Sequence, residues 1–199
     1  MLPRGRRPAV PRSHPIKRLA LLLGLPFLTV LGPAAGAGTV DLGAHGTLTL
    51  SLPAGWTMSS KPEQDAGAVI TLVPPGDANA AGLINVSLIP AGAEPVTREQ
   101  LKDQTLAVAD QFVEASVEKK KTLRELTVAN GYGYYCVFTD ASMVGQPTKK
   151  GEFKVVGVGI VRYRDDVVAE IGLSADDEKG PEFTALLEIV GRATLSAAK

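Results

Sequence analysis

β-Rich runs joined by short turns dominate the second half of this 199-residue sequence. One turn contains Asn130-Gly131, residues that tolerate the positive φ angles of a tight hairpin. The other contains Asp165-Asp166. Short turns join antiparallel strands, because parallel strands need a long crossover connection. The pattern therefore predicts two antiparallel hairpins, 123–128 with 132–139 and 152–164 with 167–173.

The first half of the chain shows further strand patterns. Leucine occurs at every second position in 48–52, which is the period of a half-buried strand. A turn at 53–55 follows, and Trp56 and Met58 continue beyond it, so we expect a first hairpin whose tryptophan packs in the core. A longer-looped hairpin is predicted for 68–73 and 83–89.

Two helices complete the pattern. Thr97 and Gln100 have the spacing of a capping box, and apolar residues repeat at helical spacing from there, so the first helix is expected to run to about Lys120. The second helix should begin at Pro181 and carry an apolar stripe to Val190. Hairpins with inserted helices predict an α+β fold, a mainly antiparallel sheet flanked by a long middle helix and a C-terminal helix.

A basic N-terminal segment precedes an apolar stretch of 13 residues, 19–31. The stretch is shorter than the roughly 20 residues of a membrane-spanning helix. Ala35-Gly36-Ala37 fits the small-residue pattern of signal-peptide cleavage, so we interpret 1–37 as a signal peptide and 38–199 as a single domain. We therefore expect an exported protein, periplasmic or secreted, with no membrane span after cleavage. An uncleaved N-terminal anchor is the alternative.

Charge argues against nucleic acid as a partner. The whole chain has 21 basic and 21 acidic residues, but six of the basic ones lie in 1–18, where there is no acidic residue. Cleavage would leave 15 basic residues against 21 acidic ones, a net charge of −6. Binding to a phosphate backbone requires clustered Lys and Arg. Lys119-Lys120-Lys121 is expected instead at the end of the first helix, where cations favour the helix dipole.

Few residues are available for catalysis or for a cofactor. The predicted domain contains one histidine, His45, and one cysteine, Cys136. A Ser-His-Asp or Cys-His mechanism would have to use His45, which lies in a glycine-rich turn where an exposed, non-catalytic histidine is the expectation. Cys136 lies within a predicted strand, which favours a buried thiol over a reactive one. One His and one Cys do not make a usual zinc site, so we predict a protein that is not an enzyme and has no cofactor.

Carboxylates are the abundant ionisable groups. Asp165-Asp166 is expected at a hairpin tip, and Asp176-Asp177-Glu178 lies just before the second helix. Oxygen ligands at these loops could bind a hard cation such as Ca²⁺. The spacing of a calcium-binding loop is missing, which favours roles in turns and helix capping.

Three tyrosines in one predicted strand are candidates for partner binding. Tyr132 and Tyr134 should share one face and Tyr135 the other, because successive side chains alternate. Tyrosine on an exposed sheet face is a frequent interface anchor, although packing in the core is the alternative. The candidate partner-binding residues are Tyr132, Tyr134, Tyr135, Asp165 and Asp166.

The order of strands and helices, opened by the segment Leu-Ser-Leu-Pro-Ala-Gly-Trp at 50–56, resembles the PsbP/Mog1-like group of α/β/α sandwiches. This group includes exported bacterial proteins similar to DcrB and to the mycobacterial LpqN-type proteins. The resemblance covers nearly the whole predicted domain and implies an α/β/α sandwich. Members of the group mostly act by binding: they include photosystem extrinsic subunits, a small-GTPase partner and effector-binding chaperones.

Together these features predict an exported, non-catalytic binding module or an accessory, chaperone-like protein of the cell envelope. The partner would be another envelope or secreted protein. A small-ligand or cation-binding periplasmic protein that uses the acidic loops is the alternative. The sequence leaves the partner and the oligomeric state open.

Overall fold

The computed structural model describes residues 36–63 and 67–198. Within these ranges, the strands and helices are β1 (Gly36–Asp41), β2 (Thr47–Leu52), β3 (Thr57–Glu63), β4 (Gly67–Val73), β5 (Ala80–Leu88), α1 (Arg98–Val113), β6 (Arg124–Leu126), β7 (Tyr132–Thr139), β8 (Val155–Arg164), β9 (Val167–Ala175), α2 (Pro181–Gly191) and β10 (Thr194–Ser196). The predicted signal peptide lies almost entirely outside the described residues. Its expected cleavage site near Ala37 falls at the start of β1.

The strands form two antiparallel sheets. Seven strands make the large sheet, in the order β3-β4-β5-β9-β8-β7-β6, and three make the small sheet, in the order β1-β2-β10. The predicted hairpins β4–β5, β6–β7 and β8–β9 are confirmed, each with antiparallel pairing. The predicted α+β class with a mainly antiparallel sheet is therefore confirmed.

The two helices cover opposite faces of the large sheet. Two residues on opposite faces of β8 show this. Val158 packs with Phe112 of α1, whereas Val161 belongs to the cluster that contains Phe183 of α2. The small sheet packs on the α2 side, where the leucines of β2 are buried in the same cluster. Gly157 in β8 allows the close approach of α2, since an added Cβ would lie 2.7 Å from the ring of Phe183.

The predicted first hairpin is wrong. β2 and β3 do not pair: β2 lies between β1 and β10 in the small sheet, and β3 pairs with β4 at the edge of the large sheet. A turn closed by the Trp56 N–H and the Pro53 carbonyl, with Gly55 at φ 80°, sends the chain from one sheet to the other. Trp56 is only partly buried and packs against the edge of the main core.

The first helix begins as predicted but ends earlier. Thr97 and Gln100 form the expected capping box, and the helix ends at Val113 instead of near Lys120. Beyond it, Ser116 forms an isolated antiparallel bridge with Asp140, so the chain pairs with the segment that follows β7 instead of continuing the helix. The second helix begins at Pro181, as predicted.

Candidate functional site

Tyr132 lies at the start of β7 between two arginines. Its hydroxyl donates to the Val96 carbonyl at 2.7 Å and accepts from Nη1 of Arg162 at 2.6 Å. The Arg98 guanidinium lies 4.4 Å from the centre of the ring and that of Arg162 lies 5.0 Å from it. Both distances allow a cation–π interaction. The ring is therefore held in one position by its hydroxyl and by two cations.

The other two tyrosines of the predicted cluster face the interior. Tyr134 shares the face of Tyr132, as predicted, and is 5% exposed in a cluster with Leu101 of α1. Tyr135 lies on the opposite face and packs, half-buried, against the main core. Packing in the core, the alternative interpretation, thus describes Tyr134 best. Tyr132 is the tyrosine that borders an open surface.

A cleft of about 310 Å³ opens beside Tyr132, between the β6–β7 and β8–β9 turns. The antiparallel register pairs Tyr132 with Arg162, which brings the two turns together. An added Cβ on Gly131 would lie 1.8 Å from the Arg162 carbonyl oxygen, so only glycine fits there. The lining residues are Asn130, Gly131, Tyr132, Arg162, Tyr163, Arg164 and Asp165.

Asp165 lies at the rim of this cleft. Its side chain is 67% exposed and forms an ion pair with Nη2 of Arg162, whose own side chain is only 17% exposed. Nε of Arg162 is buried and has no hydrogen-bond partner within the described ranges. The guanidinium is thus positioned by Tyr132 and Asp165 while one of its donors stays unused.

Asp166, next in the chain, has a different environment. Its carboxylate accepts from Nε and Nη2 of Arg164 at 2.5 and 2.8 Å, and its Oδ2 lies 2.7 Å from Nδ1 of His45. The hydrogen bonds from Arg164 hold the pKa of the Asp166 carboxyl well below its usual range. Nη2 of Arg164 also donates to the His45 carbonyl at 2.7 Å. The cluster joins the β1–β2 loop to the β8–β9 turn.

These contacts bear on the residues considered for catalysis. His45 was expected to be simply exposed, but it is partly buried and bound to Asp166. In the part of the chain that the structure describes, no serine, threonine or cysteine forms a hydrogen bond with its ring. Cys136 is fully buried, as favoured by the sequence, and burial raises the pKa of its thiol.

The second acidic segment is used by the fold. Asp176 accepts from the Asn79 amide at 3.0 Å and from the Thr148 hydroxyl at 2.8 Å. Asp177 accepts from the Lys179 N–H at 2.9 Å, and Glu178 forms an ion pair with Arg124. This segment and the Asp165-Asp166 turn lie at opposite ends of β9, so their carboxylates do not meet. No group of three or more metal-ligating side chains occurs among residues 36–63 and 67–198.

Sequence reasoning missed the two arginines that surround Tyr132. Arg98 is the first residue of α1 and Arg162 is the register partner of Tyr132 across β7 and β8. The sequence predicted one hairpin that contains 132–139 and another that contains 152–164, but it did not predict that these two strands pair with each other. Packing decides which strands of different hairpins become neighbours, and the turn residues carry no information about it.

The chain is similar to a known protein in its fold but matches none by sequence. No protein-family model and no curated protein matches the chain. The solution structure of cyanobacterial PsbP (CyanoP) from Synechocystis sp. PCC 6803 is similar, with a TM-score of 0.48 and 11% sequence identity over 85% of this chain and 99% of that one. This similarity concerns the fold alone. The finer resemblance to the DcrB and LpqN-type proteins stays a prediction. Within the described residues, no helix is long and apolar enough to cross a membrane.

Proposed function

We propose that this chain is an exported, non-catalytic binding protein of the cell envelope, acting as an accessory or chaperone-like module. We further propose that it contacts its partner through the Tyr132 surface, defined as Tyr132, Arg98, Arg162 and Asp165 with the adjoining cleft. The observation that carries the proposal is the fixed position of the Tyr132 ring between two guanidinium groups beside an open cleft.

The composition of this surface suits protein binding. Tyrosine and arginine are the residues most enriched among those that dominate interface energies. The Tyr132 hydroxyl and ring are already oriented before a partner arrives, which lowers the entropy lost on association. Arg98 and Asp165 remain 54% and 67% exposed, so polar contacts are available at the rim.

Support for export comes from the N-terminal sequence. The basic segment, the apolar stretch 19–31 and the small residues at 35–37 have the order of a signal peptide. An exported protein of this kind would meet its partner in the periplasm or outside the cell.

The alternative function, cation binding by the acidic loops, has less support. The two carboxylates of the β8–β9 turn are each paired with an arginine, Asp165 with Arg162 and Asp166 with Arg164. A hard cation that used both carboxylates would have to displace the bidentate Arg164 guanidinium from Asp166 before it gained its oxygen ligands.

The test compares two variants of the tagged full chain, expressed in its own cells and gently extracted from the envelope. Arg98→Ala removes an exposed cation of the Tyr132 surface whose carboxylate partner is Glu125. Lys150→Ala is the control: it removes a 72% exposed cation, paired with Asp77, from the segment before β8. β8 is ten residues long, which places this control about 30 Å from the cleft.

Native mass spectrometry of the extracted protein gives the occupancy of any bound partner. We expect a stoichiometric protein partner on the wild type, an occupancy reduced about tenfold for Arg98→Ala, and no change for Lys150→Ala. A bare chain, or equal occupancy for the two variants, would overturn the proposal.

A further inference from the structure

Arg162 uses only part of its guanidinium. Nη1 donates to the Tyr132 hydroxyl, and Nη2 contacts Asp165. Nε points along the same edge of the guanidinium plane as Nη2, and it is buried with no hydrogen-bond partner among residues 36–63 and 67–198. Asp165 therefore fills half of the edge that arginine offers to a planar, two-oxygen acceptor.

The unused donor makes this edge incomplete in the free protein. A carboxylate that faced the edge squarely would accept from Nε and Nη2 together, which is the strongest arrangement that arginine forms. The neighbouring Arg164 shows the completed form, since Asp166 accepts from both its Nε and its Nη2. The two adjacent pairs thus differ in how fully the arginine edge is used.

Asp165 is also bound only weakly to the Arg162 edge, so another carboxylate can replace it there. Its side chain is mostly exposed, and an exposed ion pair contributes little, so the side chain can turn into water at small cost. The turn itself would stay in place, because Asp166 anchors it to Arg164 and His45. Exchange of the Asp165 carboxylate for another one requires no change of the backbone.

The surroundings favour an anionic group. The Arg98 guanidinium lies on the Tyr132 ring and adds a second positive charge beside the Arg162 edge. Asn130 lines the same cleft with an amide that can donate to a bound oxygen. The cleft, about 310 Å³, has room for a carboxylate and the atoms that carry it.

We infer that the Tyr132 surface binds a carboxylate group of its partner on the Nε–Nη2 edge of Arg162, and that Asp165 occupies this place in the free protein. The inference rests on the proposed function for the identity of the surface and adds the chemistry that it recognises. The carboxylate belongs either to an acidic protein segment or to a free organic acid.

The test follows the Arg162 Nε–H resonance of the ¹⁵N-labelled full chain by NMR during titration. The two probes are glutarate and the peptide acetyl-Gly-Gly-Glu-amide, and the peptide with Gln in place of Glu is the probe without the carboxylate. We expect the resonance to shift with at least one carboxylate probe and not with the Gln peptide. A response to the Glu peptide alone identifies a protein source, and a response to glutarate alone identifies an organic acid.

Three variants sharpen the result. Asp165→Asn removes the competing carboxylate and should raise the affinity about fivefold. Asp77→Asn makes the same chemical change beside Lys150, at the other end of β8, and should leave the affinity unchanged. Arg162→Gln should abolish binding. Circular dichroism shows whether Arg162→Gln is folded. If it is not folded, the affinity of Asp165→Asn tests the inference instead.

Two outcomes overturn the inference: no shift with either carboxylate probe in wild type or Asp165→Asn, or equal affinities for Asp165→Asn and Asp77→Asn. These outcomes are separate from the test of the proposed function. Partner capture that depends on Arg98 would survive a failure here. A carboxylate bound at Arg162 would likewise survive the absence of a protein partner.

Discussion

Replacement of Asp166 by Asn should destabilise the fold by loosening the connection between its two sheets. The Asp166 carboxylate accepts two hydrogen bonds from Arg164 and lies within hydrogen-bonding distance of His45 in the loop before β2. The amide keeps one oxygen but loses the charge, so the bidentate pair and the attraction to Arg164 are both lost.

The magnitude follows from the geometry and the exposure. Hydrogen bonds to charged groups are worth about 1.5 to 3 kcal/mol when they are well shielded. The Asp166 side chain is 34% exposed, and screening by solvent reduces this value, so we expect a loss of about 1 to 2 kcal/mol. For a domain of this size, that loss corresponds to a fall in Tm of about 2 to 8 °C.

The effect should depend on pH with a definite sign. The pKa of Asp166 is lowered in the folded state, so its contribution to the free energy of unfolding is fully present above the unfolded pKa of about 4. The contribution is lost as pH falls from there toward the lowered folded pKa. Wild type and Asp166→Asn should therefore differ most at neutral pH and converge in acid.

Urea denaturation at pH 7 and at pH 3 measures both parts of this prediction. Asp77→Asn is the control, since Asp77 is fully exposed and its ion pair with Lys150 is long, at 3.5 Å. Equal midpoints for wild type and Asp166→Asn at pH 7, or a difference that grows in acid, would refute the reasoning.

Two further predictions concern packing and loop connections. Gly157→Ala should cost about 1 to 2 kcal/mol in urea denaturation, because its Cβ would lie 2.7 Å from the buried Phe183 ring. Gly172→Ala, whose Cβ meets open space in the same sheet, should be neutral or slightly stabilising, and equal losses for both would contradict this account. Asn79→Ala removes hydrogen bonds to Lys149, Glu152 and Gly151, so the Gly151 amide should exchange with solvent faster, as hydrogen exchange would show. Unchanged exchange at that amide would mean that Asn79 does not hold the loop.

Local signals explain what could be predicted from the sequence. The Asn130-Gly131 turn and the Asp165-Asp166 turn each act on the strands beside them, and both hairpins form as expected. Thr97 with Gln100 and Pro181 likewise mark helix starts through contacts within one turn. Such signals are readable because sequence neighbours are also neighbours in space.

The wrong or missing predictions concern features that depend on contacts between residues distant in sequence. β1 and β10 are short strands that exist because they border β2, and no local pattern at Gly36–Asp41 or Thr194–Ser196 announced this pairing. The first helix stops early because Ser116 meets Asp140, a residue 24 positions away. The predicted pairing of β2 with β3 is wrong because a turn motif sets a change of chain direction but does not determine which sheet the next strand joins.

The candidate site shows the same division. Alternation along β7 correctly placed Tyr132 and Tyr134 on one face. The role of each depends on what covers that face: α1 buries Tyr134, whereas Tyr132 lies beyond it at the cleft between two turns. The sequence does not show which arginine pairs with Asp165 and which pairs with Asp166. The arginines lie close to both aspartates along the chain, and the directions of the side chains depend on the turn.

Site-specific crosslinking in living cells tests the central claim, binding through the Tyr132 surface, most directly. A photoreactive benzoylphenylalanine would replace Arg98 in one chain and Lys150 in another, both exposed positions near opposite ends of β8. We predict that irradiation joins one partner protein to the chain labelled at position 98, with no such product from position 150. Crosslinks of equal yield from both positions, or from position 150 alone, would contradict the account.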